Sequence, residues 1–309
     1  MRVVIAGGSG FLGRALTRSL VQDGHTAVVL TRRAGRAADD GVDFVMWDGC
    51  TGSPWADALD GADALVNLAG ENIANGLWTK ARRRGILESR LLAGQACLEA
   101  IEHVQRPPRV LLQASAVGYY GDRGDTVLDE DAPAGSGFLA DVAQHWEAST
   151  AAAETMGVRR VILRTAVVLG RDGGALPRML TPFRYSLGGP LGSGRQWFPW
   201  IHLADAIGAM RWLMECPDVS GPFNLVAPGT VTQRTWAEAL AMSLGRPARL
   251  RVPATLLRLA LGAMGRELFL ASARVLPRRL LETGYAFRFP SLSDALADLL
   301  HAATPQRHD

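Results

Sequence analysis

The chain has 309 residues, 48% hydrophobic and 20% charged, with a formal net charge of +3. That is an ordinary globular composition, long enough for a sizeable core in one large or two smaller domains. The pI is near 9.0, yet the basic residues are scattered among acids with no Lys/Arg run interleaved with aromatics, so no nucleic-acid partner is expected.

The first thirty-three residues organise the rest. Arg2-Val3-Val4-Ile5-Ala6 is a short β-branched run that does not read as a signal-peptide core. It stops at Gly7-Gly8-Ser9-Gly10-Phe11-Leu12-Gly13, after which Leu12, Leu16 and Leu20 recur at helical spacing. A second β-rich run spans Thr26 to Thr31. Strand, glycine turn, helix, strand is the opening of a dinucleotide-binding unit. Gly7 permits the turn, Gly10 lets a pyrophosphate approach the backbone, and Gly13 lets the helix pack on the strand. Ser9, Phe11 and Leu12 complete the turn, whose helical N–H groups and dipole face the phosphates. A plain loop with no ligand is the competing reading.

Thr31-Arg32-Arg33 ends the second strand with no acid before Asp39. An acid there would suit a ribose 2′-hydroxyl, whereas guanidinium suits a 2′-phosphate. NADP(H) is therefore expected over NAD(H), against the alternative of a solvated arginine pair. Val42 to Trp47 reads as a third strand, and Asp48 after it either bonds adenine or forms a turn. A fourth apolar strand, Ala62 to Leu68, leads into Asn67-Leu68-Ala69-Gly70-Glu71-Asn72, where small residues at the strand end leave room for a cofactor beside Leu68, Ala69 and Gly70, and Glu71 and Asn72 would face the cleft.

Next comes a long helical pattern with Leu87, Leu91, Gly94, Leu98 and Ile101 on one face and Arg90 at its edge. Arg90 either reaches the cofactor or pairs with Glu88 and snorkels to water. Val110 to Ala114 is a fifth strand running into Ser115 and Gly118-Tyr119-Tyr120-Gly121, and a helix is expected from about Phe138 to Thr155. Val161 to Leu169, containing Arg164, is a sixth strand, so the chain is expected to be α/β with a Rossmann-type, doubly wound parallel sheet.

Beyond Gly170 the texture changes to glycine-rich, aromatic loops. The segment Gly188 to Trp200, with Arg195, Gln196, Trp197 and Trp200, reads as a substrate-pocket wall. Ile201-His202-Leu203 and Asp205 are expected to begin a helix, with a late strand at Pro222 to Leu225 and a mostly helical remainder. The expected division is residues 1–170 (with 200–226 returning) as the nucleotide domain. Residues 171–199 and 227–303 form a smaller substrate-side domain, and 304–309 a disordered tail. Cys50, Cys97 and Cys216 are far apart and lack CxxC spacing, so neither disulfides nor metal are expected and a reducing cytoplasm fits. Pro253 to Leu276 is interrupted by Arg258, Arg266 and Glu267, which argues against a membrane span.

These landmarks together resemble the extended short-chain dehydrogenase/reductase superfamily, in its epimerase/dehydratase branch. The matching residues are Gly7/Gly10/Gly13, Asn67-Leu68-Ala69-Gly70, Ser115 before Tyr120-Gly121, Arg164 to Gly170, His202 with Asp205, and Phe223-Asn224-Leu225. Gly70-Glu71-Asn72-Ile73, Ser89-Arg90, Gly118-Tyr119-Tyr120-Gly121, Gly188 to Gly194, Trp200-Ile201-His202 and a module beginning near Arg251-Val252-Pro253 resemble, more narrowly, an atypical "epimerase family" subgroup. The resemblance implies NADP(H) bound by Gly7 to Gly13, Thr31 to Arg33, Asp48, Leu68 to Gly70 and Arg90. A small-molecule substrate is implied near Tyr120, Arg195, Gln196, Trp197, Trp200 and His202, in a monomer or homodimer.

The superfamily's chemistry uses a Tyr and a Lys four residues later on one helical face. The four tyrosines, Tyr119, Tyr120, Tyr185 and Tyr285, are followed at that spacing by Arg123, Gly124, Gly189 and Phe289, and Lys80 is the only lysine. Either substitutes serve an oxidoreductase or epimerase-like reaction, or the protein binds NADP(H) as a non-catalytic sensor or scaffold. The substitutes are Ser115 on the substrate oxygen, Tyr119 or Tyr120 as proton donor, and Glu71 as base if burial raises its pKa. Each has a structural alternative: a strand-end hydrogen bond, packed tyrosines, a solvated acid.

Overall fold

A computed structural model describes residues 1–32, 40–248 and 250–301, residue 301 by its backbone alone. Arg33, the acid expected at Asp39 and the tail at 304–309 lie outside the described residues. Two compact units emerge: one comprises Met1–Tyr119, Phe138–Arg164 and Ile207–Phe223, the other Tyr120–Gly137, Thr165–Ala206 and the chain from Asn224 onward. Tyr120–Gly137, which the sequence groups with the nucleotide domain, belongs to the second unit.

The first unit is built on a seven-stranded sheet. Its strands in chain order are β1 (Arg2–Ala6), β2 (Thr26–Thr31), β3 (Val42–Met46), β4 (Ala64–Asn67), β5 (Val110–Ala116), β6 (Arg159–Thr165) and β7 (Gly221–Leu225). In space they run β7-β6-β5-β4-β1-β2-β3. Val3 of β1 lies beside Ala27 on one side and Ala64 on the other, both parallel. The chain direction across the sheet therefore reverses between β1 and β4, and the carboxyl ends of those strands open a ligand crevice. All four residues of β4 are buried, as expected of a central strand covered on both faces.

Helix α1 (Phe11–Gln22) buries Gly13, Leu16 and Leu20, the stripe read from sequence. A short α2 (Ala56–Leu59) and the long α3 (Lys80–His103) cover a core of Val4, Val28, Leu30, Trp55, Leu59, Leu65 and Leu111. Thr79 caps α3 by accepting the Arg82 N–H at 3.2 Å. The buried face of α3 is Ile86, Arg90, Ala93, Gly94, Cys97 and Ile101, rotated from the leucine stripe expected from sequence. Its small residues decide the contact: a Cβ on Gly94 would lie 2.1 Å from Ser149 Oγ. Arg90 is consequently inside the buried face, not at its edge.

Helix α4 (Phe138–Ala148) ends earlier than the expected Thr155, with a 3-10 turn at Ala151–Ala153. Ser149 leaves the helix, bonds the Trp146 carbonyl at 2.7 Å and sits over Gly94.

In the second unit, a strand at Val167–Gly170 pairs with Trp200–His202 and Gly173–Gly174. The single apolar run expected at 161–169 is therefore two strands, in two sheets. Ala166 N–H donates to Leu225 and Val167 N–H to Pro199, so the hydrogen-bonding partner changes within two residues while composition stays apolar. Trp200–His202 is likewise a strand, and the expected helix, α6 (Leu203–Glu215), begins after it. Helices α5 (Leu176–Arg184), α7 (Gln233–Ser243), α8 (Ala254–Leu261), α9 (Arg278–Glu282) and α10 (Leu292–His301) complete the unit. Its core joins Leu169, Leu176, Phe183, Trp200, Trp236, Leu240 and Leu296. Among the described residues no helix is long and apolar enough to cross a membrane, and no group of His, Cys, Asp or Glu could hold a metal ion.

Candidate functional site

The crevice begins where β1 meets α1. Gly7 has φ +79°, and a Cβ there would lie 2.8 Å from the Leu68 carbonyl carbon, so only glycine lets the loops after β1 and β4 touch. Gly10 N–H closes the turn on the Gly7 carbonyl at 2.9 Å. A Cβ on Gly13 would sit 2.5 Å from that same carbonyl oxygen, which makes glycine obligatory for the helix to start so close to the strand. Gly10 is the N-cap of α1 and has no side chain to satisfy the first-turn N–H groups. Ser9 and Gly10 are exposed, Phe11 and Leu12 half-buried. The result is an open cradle of backbone donors at a positive helix end, and its donor set fits a pyrophosphate.

At the end of β2, Thr31 is buried and Arg32 exposed; among the described residues no carboxylate pairs with Arg32. Asp48 is spent on its own loop. Its carboxylate accepts Cys50 N–H at 2.8 Å, Thr51 N–H at 2.9 Å and Thr51 Oγ at 2.7 Å. The Cys50 N–H, followed by the Thr51 donors, holds that carboxyl well below the usual range.

At the end of β4, Leu68 N–H bonds Ala6 at 2.9 Å and Ala69 N–H bonds Asn67 Oδ1 at 3.2 Å. Beneath this loop lies Arg90. One Nη donates to the carbonyls of Ile86 (2.8 Å) and Glu71 (3.1 Å), and the guanidinium stacks 4.6 Å from the Trp146 ring centre. A Cβ on Gly70 would touch that guanidinium at 3.1 Å. Burial pulls Arg90 down to about 10, and its Nε is buried with no hydrogen-bond partner. Glu71 does not meet the condition set for a base: its carboxylate is exposed and ion-paired with Arg82.

Ser115, on β5, is 4% exposed, and its hydroxyl donates to Glu147 Oε1 at 2.6 Å. Glu147, on α4, also receives Arg164 through two parallel bonds, Nε to Oε1 at 2.9 Å and Nη2 to Oε2 at 3.0 Å. The Arg164 guanidinium lies 3.5 Å over the Tyr119 ring. Buried Ser115, Glu147 and Arg164, with half-buried Tyr119 stacked on the last, thus form one network, in which Glu147 alone was not singled out from sequence. An arginine inside the apolar strand Val161-Ile162-Leu163 was the available signal, since a buried guanidinium requires a counter-charge.

In the second unit, Tyr120 is fully buried and its hydroxyl donates to Asn224 Oδ1 at 2.8 Å. Gln196 Nε2 bonds the carbonyls of Leu191 and Phe269, both at 3.0 Å, and Trp200 Nε1 bonds Gly229 at 3.1 Å. Trp197 Nε1 donates to Asp125 under the Arg274 guanidinium. His202 is buried against Phe289, accepts the Ala204 N–H at 3.0 Å, and lies 3.4 Å from Asp298. Of Tyr120, Arg195, Gln196, Trp197, Trp200 and His202, Arg195 is the exposed one; the others make packing contacts or loop hydrogen bonds.

Residues 3–226 match the NAD-dependent epimerase/dehydratase family, and 252–299 match a domain of unknown function, DUF1731. The chain is 40% identical over 306 residues to the bovine epimerase family protein SDR39U1, covering 97% of this chain and all of that one. It is 36% identical to the epimerase family protein YfhF of Bacillus subtilis, over 97% of this chain and 98% of that one. Among solved structures, human SDR39U1 (isoform 2) crystallised with NADPH superposes with TM-score 0.88 at 37% identity, covering 98% of this chain and 100% of that one. A nucleoside-diphosphate sugar epimerase from Corynebacterium glutamicum gives TM-score 0.78 at 35% identity, covering 97% of this chain and 58% of that one. The chain therefore belongs to the NAD-dependent epimerase/dehydratase family, within the short-chain dehydrogenase/reductase superfamily.

Proposed function

We propose that the protein binds NADP(H) and acts as an oxidoreductase or epimerase-like enzyme on a small molecule, without the Tyr–Lys pair of its superfamily. The observation that carries this reading is the side-chain-free cradle at Gly7, Gly10 and Gly13, facing the first turn of α1. Support also comes from human SDR39U1, similar over the whole chain and crystallised with NADPH. The first-turn N–H groups from Phe11 to Gly13 would hold the pyrophosphate, and Arg32, with Arg33 beside it in sequence, the 2′-phosphate. Leu68, Ala69 and Gly70 would flank the cofactor, with Arg90 bracing their loop from below. NADP(H) supplies hydride to, or takes it from, a substrate carbon.

Ser115 is the residue proposed to meet the substrate oxygen. Because its hydrogen is donated to Glu147, its oxygen can serve a substrate only as an acceptor, and a substrate hydroxyl is the matching donor. Arg164 holds Glu147 by two bonds and so fixes Ser115's orientation. Tyr119, held under Arg164, is the proposed proton donor. The test is calorimetric titration with NADPH and NADH, followed by NADP+-linked oxidation across a panel of secondary alcohols. Tight NADPH binding with weak NADH binding is expected; absence of both sinks the reading. One observation favours a second reading, a non-catalytic NADP(H) binder: the hydroxyls of Ser115 and Tyr120 are both already donated within the protein. Loss of turnover in Ser115→Ala supports the first reading.

A further inference from the structure

The glycine-rich loop from Gly188 to Gly194 lies wholly within the second unit and meets the start of the DUF1731 module there. Gly192 N–H bonds Val252 at 2.9 Å and Val252 N–H bonds Pro190 at 3.0 Å. Gly192 has φ +57°, and a Cβ on it would strike Leu270 at 2.6 Å, so glycine is what allows the loop to close on the module. Between them is a cavity of about 470 Å³ lined by Gly192, Ser193, Arg251, Pro253, Ala254 and Thr255, within the usual size range of small-molecule sites.

Three arginines are anchored on this one turn. Arg251 Nε donates to the Gly192 carbonyl. Arg234 N–H bonds Gly194 at 2.9 Å, with its guanidinium 3.5 Å from the Ser193 carbonyl. Arg195 N–H bonds Ser193 Oγ at 3.1 Å. All three side chains are exposed, and among the described residues no carboxylate pairs with any of them. Arginines elsewhere commonly hold acids: Arg84 pairs with Glu88, Arg106 with Asp60, and Arg278 with Asp131. The Arg251 guanidinium in the lining and the Arg234 guanidinium beside Ser193, neither paired with a carboxylate among the described residues, favour an anion.

The rest of the cavity is apolar. Pro253 and Ala254 form its wall, and α8 continues from there without burying a single residue. Leu256 is 55% and Leu259 85% exposed. Leu259 follows Thr255 by four residues and Leu256 by three, so these side chains form one ridge leading away from the basic mouth. Eight helical residues give a track of about 12 Å.

We propose that this cavity binds a single-chain anionic amphiphile. Its carboxylate or phosphate head lies beside Arg251 and Arg234, and its hydrocarbon tail runs past Pro253 and Ala254 along Leu256 and Leu259. The lining offers no aromatic face for a base and little beyond Ser193 and Thr255 to grip a sugar, which disfavours a nucleotide. The inference does not depend on NADP(H) binding, whose residues lie in the other unit.

Decyl phosphate, kept below its micellar concentration, is the probe, titrated calorimetrically into the full-length protein with and without NADPH. One molecule should bind per chain. Decanol and inorganic phosphate should each bind at least tenfold more weakly. Arg234→Met and Leu259→Asp, both at exposed positions, should each weaken decyl phosphate about tenfold while leaving NADPH affinity and the melting temperature unchanged; Arg251→Met should do the same. Four results overturn the proposal: no binding, equal binding of inorganic phosphate, displacement by UDP, or association only with decyl-phosphate-doped vesicles. A protein that binds decyl phosphate but not NADPH would remove the proposed function and leave this inference standing.

Discussion

Replacing Glu147 with alanine isolates the buried network at Ser115. The change deletes three accepted hydrogen bonds, from Ser115 Oγ, Arg164 Nε and Arg164 Nη2, and strands a guanidinium whose side chain is 5% exposed. Breaking a buried ion pair on one side costs about 3–5 kcal/mol. The Tyr119 ring, 3.5 Å from Arg164, gives back part of that through cation–π attraction, so the lower end, about 3 kcal/mol, is expected. Unfolding entropy of roughly 2.1 cal/mol/K per residue gives about 0.65 kcal/mol/K for 309 residues. The melting temperature should therefore fall by about 5 °C in calorimetry if the chain unfolds in one transition. The double variant Glu147→Leu with Arg164→Met removes both charges and should recover part of the loss, the unmatched Ser115 hydroxyl alone costing about 1–2 kcal/mol. A drop below 1 °C in Glu147→Ala, or a double variant no better than the single, would refute the claim that this pair is buried and mutually dependent.

Three further outcomes follow from the geometry. Arg32→Ala should weaken NADPH by about ten- to a hundredfold, the worth of a charge-assisted bond, and leave NADH nearly unchanged; equal losses in calorimetry would remove the 2′-phosphate assignment. Gly13→Ala puts a Cβ 2.5 Å from the Gly7 carbonyl and should abolish NADPH binding while destabilising α1, seen as lost amide-exchange protection there; retained affinity contradicts the close-approach argument. Burial pushes the His202 imidazolium down, with Asp298 and Asp205 opposing and Arg288 assisting. A lowered folded pKa means its contribution is complete above the unfolded value, ~6.5, and is lost as pH falls. His202→Asn keeps an acceptor for Ala204 N–H without titrating, so the wild-type advantage in urea unfolding should shrink from pH 8 to pH 5. A pH-independent gap would count against it.

The nucleotide crevice is legible in the sequence because its rules are local. Gly7, Gly10 and Gly13 sit between a β-branched run and a helical stripe, and each answers a backbone contact within a few residues or at the next strand. Leu16 and Leu20 face inward as their spacing implies. The acid–base region is less legible because its partners meet through tertiary register: Ser115 and Glu147 are 32 positions apart, Glu147 and Arg164 17. Gln196, Trp200, Tyr120 and His202 resemble a pocket lining in sequence, since polar tips on large side chains suit either a ligand or a core. Their burial, and the carbonyl or side-chain partner each finds, is a property of packing. On α3 the leucines suggest one face, yet Ala93, Gly94 and Cys97 permit the closer approach, and closeness wins.

The discontinuity of the first unit bears on how the protein is made. Strand β6 carries Val161, Ile162 and Leu163, and its outer neighbour β7 is translated only after the segment Thr165–Ala206, which goes to the other unit. During synthesis the nascent sheet must wait with an apolar, hydrogen-bond-hungry edge open to other chains. Truncations ending between residues 165 and 221 should therefore aggregate more readily than the full chain.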